Sequence, residues 1–326
     1  MKFKNNPHSL IGFFLLSISV ILLLISTVYE AWVFHSAGGW IALIVLLGAI
    51  IMIIREGLQV WQIKPRKAET QTLIFGFLSV LLGGIFAFFL THDLGLGPVV
   101  AASLVGILAY LVVPRYGVPV YCGAFVGMTS NLLLFNYTEV ALAGLIAGIV
   151  YILTRDVFNG FGGKLGTIAL IGTTLTGMSL GREFLLTPIS DWRTNSLIII
   201  IAALATPLTF YLNIHRKQGP VMASAMVGLI GGLILPNLFP QYGTTLAVVA
   251  ICASFAGMTG KERCSNFWHI LITGLFTGIV FLYSAPLLGG AGGKLGTIAF
   301  GATLSSCGFT WLFNRNFKQA PRFKNG

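Results

Sequence analysis

One octapeptide occurs twice in the chain, letter for letter, and it constrains the architecture more than any other feature. Gly-Gly-Lys-Leu-Gly-Thr-Ile-Ala fills positions 162–169 and again 292–299, 130 positions later, and both copies lie in strongly apolar stretches. A second motif, Cys-x-x-Phe-x-Gly-Met-Thr, shares this register and fills positions 122–129 and 252–259. Two motifs that recur in the same order and at the same spacing indicate that the chain contains two related halves.

The composition predicts a helical membrane protein. Of the 326 residues, 56% are hydrophobic and only 9% are charged, so apolar runs long enough to cross a bilayer recur along most of the chain. A transmembrane barrel is disfavoured because its strands alternate apolar and polar residues, whereas segments such as 196–203 (SLIIIIAA) do not alternate. We therefore expect an all-α polytopic membrane protein with no soluble domain.

Apolar segmentation predicts about twelve transmembrane helices. Their expected positions are 10–30, 38–54, 72–91, 97–114, 117–135, 138–154, 157–180, 196–213, 219–236, 243–260, 267–284 and 290–312. With a cytoplasmic N-terminus, sixteen Lys and Arg residues fall in inside segments and two, Arg182 and Arg193, fall outside. This positive-inside bias predicts cytoplasmic termini in a cell inner or plasma membrane. It also explains the net charge of +11 without a nucleic-acid partner.

The repeat divides the chain into three parts. Residues 1–71 form two N-terminal transmembrane helices and a cytoplasmic connector, 72–195 the first five-helix repeat, and 196–326 the second repeat with a cytoplasmic tail. Because five is odd, the second repeat enters the membrane from the opposite side. A 5+5 inverted-topology repeat is typical of secondary transporters, although channels share this plan.

A lysine lies inside the predicted membrane segment of each half. Lys164 and Lys294 have identical neighbours, and a lysine at such depth costs roughly 2–3 kcal/mol on insertion scales, which marks it as a functional candidate. The alternative is snorkelling, in which the flexible stem lifts the ammonium group to the membrane surface. We expect the two lysines to attract an anion from opposite leaflets, converging on one interior site.

Glycine pairs precede both lysines and favour broken helices. Each interior glycine costs about 1 kcal/mol of helix stability, so a half-helix could start within the membrane and present its N-terminal N–H groups to an anion. The alternative role is close helix packing. The substrate-binding candidates of this motif are Gly162, Gly163, Lys164 and Thr167 in the first half and Gly292, Gly293, Lys294 and Thr297 in the second.

A second pair of helix breaks is predicted at the Gly-Met-Thr motif. Backbone carbonyls and a threonine hydroxyl released there could coordinate a substrate, against the alternative of a packing site or kink. These further substrate-binding candidates are Gly127, Met128, Thr129, Gly257, Met258 and Thr259.

Acidic and histidine residues fall at predicted span ends or in loops. Coupling through a carboxylate at the bilayer midplane is therefore disfavoured. The lysines could be neutralised by an anionic ligand, a lipid phosphate or backbone carbonyls, or they could lose their protons. No spacing indicates a metal site, a catalytic pair or a cofactor, so we expect no enzyme.

These features predict a secondary transporter or facilitator of a small solute, more specifically an anion, with its site between the repeats. One alternative is an anion-selective channel of the same architecture; another is a non-transporting membrane assembly or lipid-handling protein. The expected partners are membrane lipid and a small-molecule or ion substrate, and a homo-oligomer is compatible with the sequence.

Overall fold

The computed structural model describes residues 7–61, 69–187, 192–264 and 266–313, and these residues fold as α-helices joined by short connections. The helices are α1 (Pro7–Phe34), α2 (Ser36–Val60), α3 (Thr70–His92), α4 (Pro98–Val112), α5 (Gly117–Gly127), α6 (Tyr137–Leu153), α7 (Lys164–Ser179), α8 (Trp192–Phe210), α9 (Pro220–Leu238), α10 (Gly243–Gly257), α11 (Phe267–Tyr283) and α12 (Lys294–Phe313). The basic residues predicted at both termini and over 62–68 lie outside the described residues.

Long apolar helices confirm the membrane-type helical class. Within the described ranges, α1, α2, α3, α9, α12 and the segment 195–215, which includes most of α8, are long and apolar enough to cross a bilayer. Shorter apolar helices are α4, α6, α10 and α11. The count of twelve spans and the inverted repeat remain predictions.

Four helix ends fall where the glycine motifs predict breaks. Helix α5 ends at Gly127 and α10 ends at Gly257, so the predicted spans 117–135 and 243–260 are helical only in part. Helices α7 and α12 begin at the two lysines, each after a glycine with a positive φ (83° at Gly163 and 88° at Gly293). A side chain would strain this left-handed conformation, which explains a glycine before each lysine.

The packing of α3 to α7 recurs between α8 and α12. Helix α3 contacts α5 and α6, and α8 contacts α10 and α11 in the same way; α6 packs on α7, and α11 packs on α12. The two sets of helices meet where α4 contacts α9 and α7 contacts α12. Helices α1 and α2 pack against each other and against α12, so the N-terminal pair covers one side of this assembly.

Helices α7 and α12 cross through glycine at their N-terminal ends. A Cβ atom on Gly166 would collide with the Cα of Gly296, and a Cβ atom on Gly296 would collide with the Cα of Gly166. Small residues allow membrane helices to approach this closely. The two octapeptides therefore contact each other directly, although they are 130 residues apart.

Glu56 lies in a helix, whereas the sequence placed it in the connector that follows the predicted span 38–54. Helix α2 continues to Val60, and the Glu56 carboxylate is buried within its last turns, where it accepts two hydrogen bonds from Arg263, at 2.7 and 3.1 Å. Arg263 lies 207 residues away in the connection between α10 and α11. A buried carboxylate needs such a partner, and α2 extends far enough to reach it.

Candidate functional site

Backbone carbonyls surround the Lys164 ammonium group. Its Nζ donates to the carbonyl oxygens of Thr154 and Val157, both at 2.6 Å, and to Oδ1 of Asn159 at 3.2 Å. Thr154 is the C-terminal cap of α6, where helix carbonyls have no intrahelical donor and carry the negative end of the helix dipole. The end of α6 thus partly neutralises the charge, as one of the sequence-based alternatives proposed.

The Lys294 ammonium group has a poorer set of acceptors. Its Nζ donates to the carbonyl oxygen of Ala285 at 3.1 Å, just past the C-terminal cap of α11, Ser284. Gly289 occupies the position that corresponds to Asn159 in the repeat, so the amide acceptor is missing. Among the described residues, Ala285 is the hydrogen-bond acceptor found for Lys294 Nζ.

Each lysine lines a cavity of its own. The first, here called the Lys164 cavity, has a volume of about 270 Å³, and the second, the Lys294 cavity, has a volume of about 320 Å³. The expected single interior site is therefore two chambers in this structure. Gly162, Gly163 and Met258 also line the Lys164 cavity, and Gly292, Gly293 and Met128 also line the Lys294 cavity.

The two cavities are built from corresponding residues of the two halves. Val118 and Pro220 line the Lys164 cavity, and their counterparts Val248 and Pro98 line the Lys294 cavity. Each cavity therefore has a valine from one half of the chain and a proline from the other half, and the halves exchange these roles between the two cavities. The polar side chains of the two cavities differ: Arg155 and Asn159 line the first cavity, and Thr187 and Thr245 line the second.

Two phenylalanines form a wall between the cavities. Phe125 and Phe255 line both chambers; their ring centroids are 4.4 Å apart, and each side chain is 1% exposed. Sequence reasoning did not select them, since an aromatic residue in an apolar span resembles any core residue. The available signal was their shared place in the Cys-x-x-Phe-x-Gly-Met-Thr motif.

Thr129 and Thr259 join the two halves. Gly292 N donates to Thr129 Oγ1, and Gly162 N donates to Thr259 Oγ1, each at 3.2 Å. Both hydroxyl groups also donate to carbonyl oxygens of their own helix ends. The two hydroxyls therefore hold the glycine pairs in place, and neither threonine is among the described residues that line the Lys164 and Lys294 cavities.

The remaining sequence-predicted site residues lie within the protein core. Thr167 and Thr297 are fully buried, and Thr297 Oγ1 donates weakly to the Gly293 carbonyl at 3.4 Å. Gly127 packs against the backbone of Gly84 in α3, and Gly257 packs against the backbone of Thr206 in α8. These four residues are not among the described residues that line the two cavities, and their part in substrate binding stays a prediction.

No group of three or more His, Cys, Asp or Glu side chains with metal-binding geometry occurs among the described residues. Comparison of the chain with protein-family models, with curated proteins and with solved structures finds no match.

Proposed function

We propose that this protein is a secondary transporter of small anions in a cell inner or plasma membrane. The observation that carries the proposal is the pair of lysine-lined cavities separated by Phe125 and Phe255. A carrier must admit its substrate from either side of the membrane while a barrier closes the path between the two sides, and each chamber here offers a cation beside such a barrier.

In the predicted topology, the two cavities open toward opposite sides of the membrane. In the predicted twelve-helix, 5+5 inverted arrangement, the C-terminal end of α6 and the start of α7 are cytoplasmic, whereas the C-terminal end of α11 and the start of α12 are external. Arg155 in the Lys164 cavity agrees with this orientation, because cytoplasmic segments are enriched in Arg and Lys. We infer that the Lys164 cavity faces the cytoplasm and the Lys294 cavity faces outward.

The closed aromatic wall favours a carrier over a channel. A conducting channel needs a continuous polar or wetted path, whereas the Phe125 and Phe255 rings interrupt it. Glycine contacts between α7 and α12 provide a crossing with little side-chain interlocking, at which one repeat could rock against the other. Such rocking around a fixed site is how inverted-repeat transporters alternate access.

Replacing Lys294 with glutamine tests the role of the cation. We expect the Lys294→Gln variant, reconstituted in liposomes, to lose about tenfold or more of its anion uptake, because charge-assisted hydrogen bonds contribute roughly 1.5–3 kcal/mol. Uptake and counterflow of a panel of labelled anions provide the measurement. Lys261→Gln is the matched control, since Lys261 is exposed and lies outside both cavities. Unchanged uptake by Lys294→Gln would remove the lysine from the mechanism.

A further inference from the structure

The two lysines differ in how many of their hydrogen-bond donors the protein occupies. An ammonium group has three N–H donors. Lys164 makes three short contacts with Thr154, Val157 and Asn159, whereas Lys294 makes one with Ala285 among the described residues. Two donors of Lys294 therefore remain for a ligand. Because Lys294 lines its cavity, a ligand inside can reach them.

The loops that precede the two lysines have similar backbone angles at two corresponding pairs of positions. Phe158 and Leu288 have positive φ angles of 51° and 47°, and Gly160 and Gly290 have φ angles of 79° and 78°. One acceptor is lost in the second half because glycine stands at 289 where the first half has Asn159, and the carbonyl that accepts from Lys294 is that of Ala285. In the Lys294 cavity, the two remaining N–H donors of Lys294 could therefore hold a carboxylate through two hydrogen bonds.

The wall of the Lys294 cavity is suited to an apolar body. Lys294 is the one charged side chain in its described lining, and Thr187 and Thr245 supply hydroxyl groups. Most other side chains there are apolar, including Phe281 and Ile298. A multiply charged inorganic anion could pair only one of its charges with Lys294. Its other charges would lie unpaired against the apolar wall, and burying an unpaired charge costs free energy. A single carboxylate on an apolar group matches both parts of the cavity.

The volume sets the size of that group. An apolar protein cavity of about 150 Å³ accepts benzene, and the Lys294 cavity measures about 320 Å³. A one-ring or branched aliphatic body with a carboxylate therefore fits. We infer that the Lys294 cavity binds a compact monocarboxylate, with the carboxylate on Lys294 Nζ and its apolar body against the Phe125 and Phe255 wall. This inference rests on the proposed function and names its substrate class.

Calorimetric titration of the detergent-solubilised full chain tests the inference, with phenylacetate as the probe. Phenylacetamide has the same shape without the charge, so we expect it to bind about tenfold to a hundredfold more weakly. Sulfate and phosphate should bind more weakly than phenylacetate. Lys294→Gln should lose a similar factor for phenylacetate, and Lys261→Gln should bind it as the wild type does.

The outcomes separate this inference from the proposed function. Equal binding of phenylacetate and phenylacetamide, or tighter binding of sulfate or phosphate, overturns the monocarboxylate site; this comparison needs no variant to fold. If liposomes then still take up inorganic anions through Lys294, the proposed transport function stands. Binding of phenylacetate with no flux of any anion supports the site and overturns the transport function.

Discussion

Removing both aromatic rings between the cavities should convert saturable transport into an anion leak. Phe125 and Phe255 line both cavities and contact each other, so the double variant Phe125→Ala/Phe255→Ala joins the two chambers. A charged side chain at the membrane centre costs about 3 kcal/mol on insertion scales, and we take this cost as the barrier that the two rings present to an anion. Because each 1.4 kcal/mol changes a rate tenfold, the leak should rise by roughly a hundredfold.

The leak is measured as unsaturable anion conductance in planar bilayers or liposomes. Phe88→Ala is the control for lost core volume: Phe88 is 3% exposed, and it lies in α3 outside both cavities. Each Phe-to-Ala change removes about 3–5 kcal/mol of stability, so Phe125→Leu/Phe255→Leu provides a milder variant with the same expected direction. A folded double variant that still transports without a leak would contradict the claim that these two rings form the barrier between the cavities.

Alanine at the crossing of α7 and α12 should impair both folding and transport. The added Cβ of Gly166→Ala would meet the backbone of Gly296, with Gly296 N only 2.9 Å away, and backbone cannot rotate aside as a side chain can. Overpacking typically costs about 1–3 kcal/mol, and a collision with backbone belongs at the upper end. The expected result is a lower thermal unfolding temperature in detergent and loss of anion uptake.

Gly177→Ala is the matched control within the same helix. Its added Cβ would lie 3.5 Å from the Leu133 side chain, an ordinary van der Waals contact, and alanine favours helix by about 1 kcal/mol over glycine. This control should unfold at or above the wild-type temperature. Similar unfolding temperatures for Gly166→Ala and Gly177→Ala would show that the crossing tolerates separation, and that its close approach is not required.

Much of the fold follows from local sequence. Long apolar runs located the helices, and the cost of interior glycine located the helix ends at Gly127 and Gly257 and the helix starts after Gly163 and Gly293. These features depend on a few neighbouring residues, which a single sequence contains. The candidate lysines were found in the same way, because a cation within an apolar run is unusual whatever the tertiary structure around it.

Contacts between distant segments were not accessible to the same reasoning. The hydrogen bond from Gly292 to Thr129 spans 163 residues, and the Arg263 partner of Glu56 is 207 residues away. Both depend on how helices cross, which hydropathy does not encode. For the same reason the lysines could be paired by sequence, but their division between two cavities with an aromatic wall could not be predicted.

Sided labelling of Val118→Cys and Val248→Cys tests the central claim most directly. The two valines correspond in the repeat, and each lines one cavity. The four native cysteines are buried, so the wild type serves as the blank for a membrane-impermeant maleimide. Cavities on opposite sides of the membrane predict that Val118→Cys reacts only from the cytoplasmic side, in inverted vesicles, and that Val248→Cys reacts only from outside, in intact cells. Labelling of both cysteines from the same side would contradict the inverted arrangement and the transport path built on it.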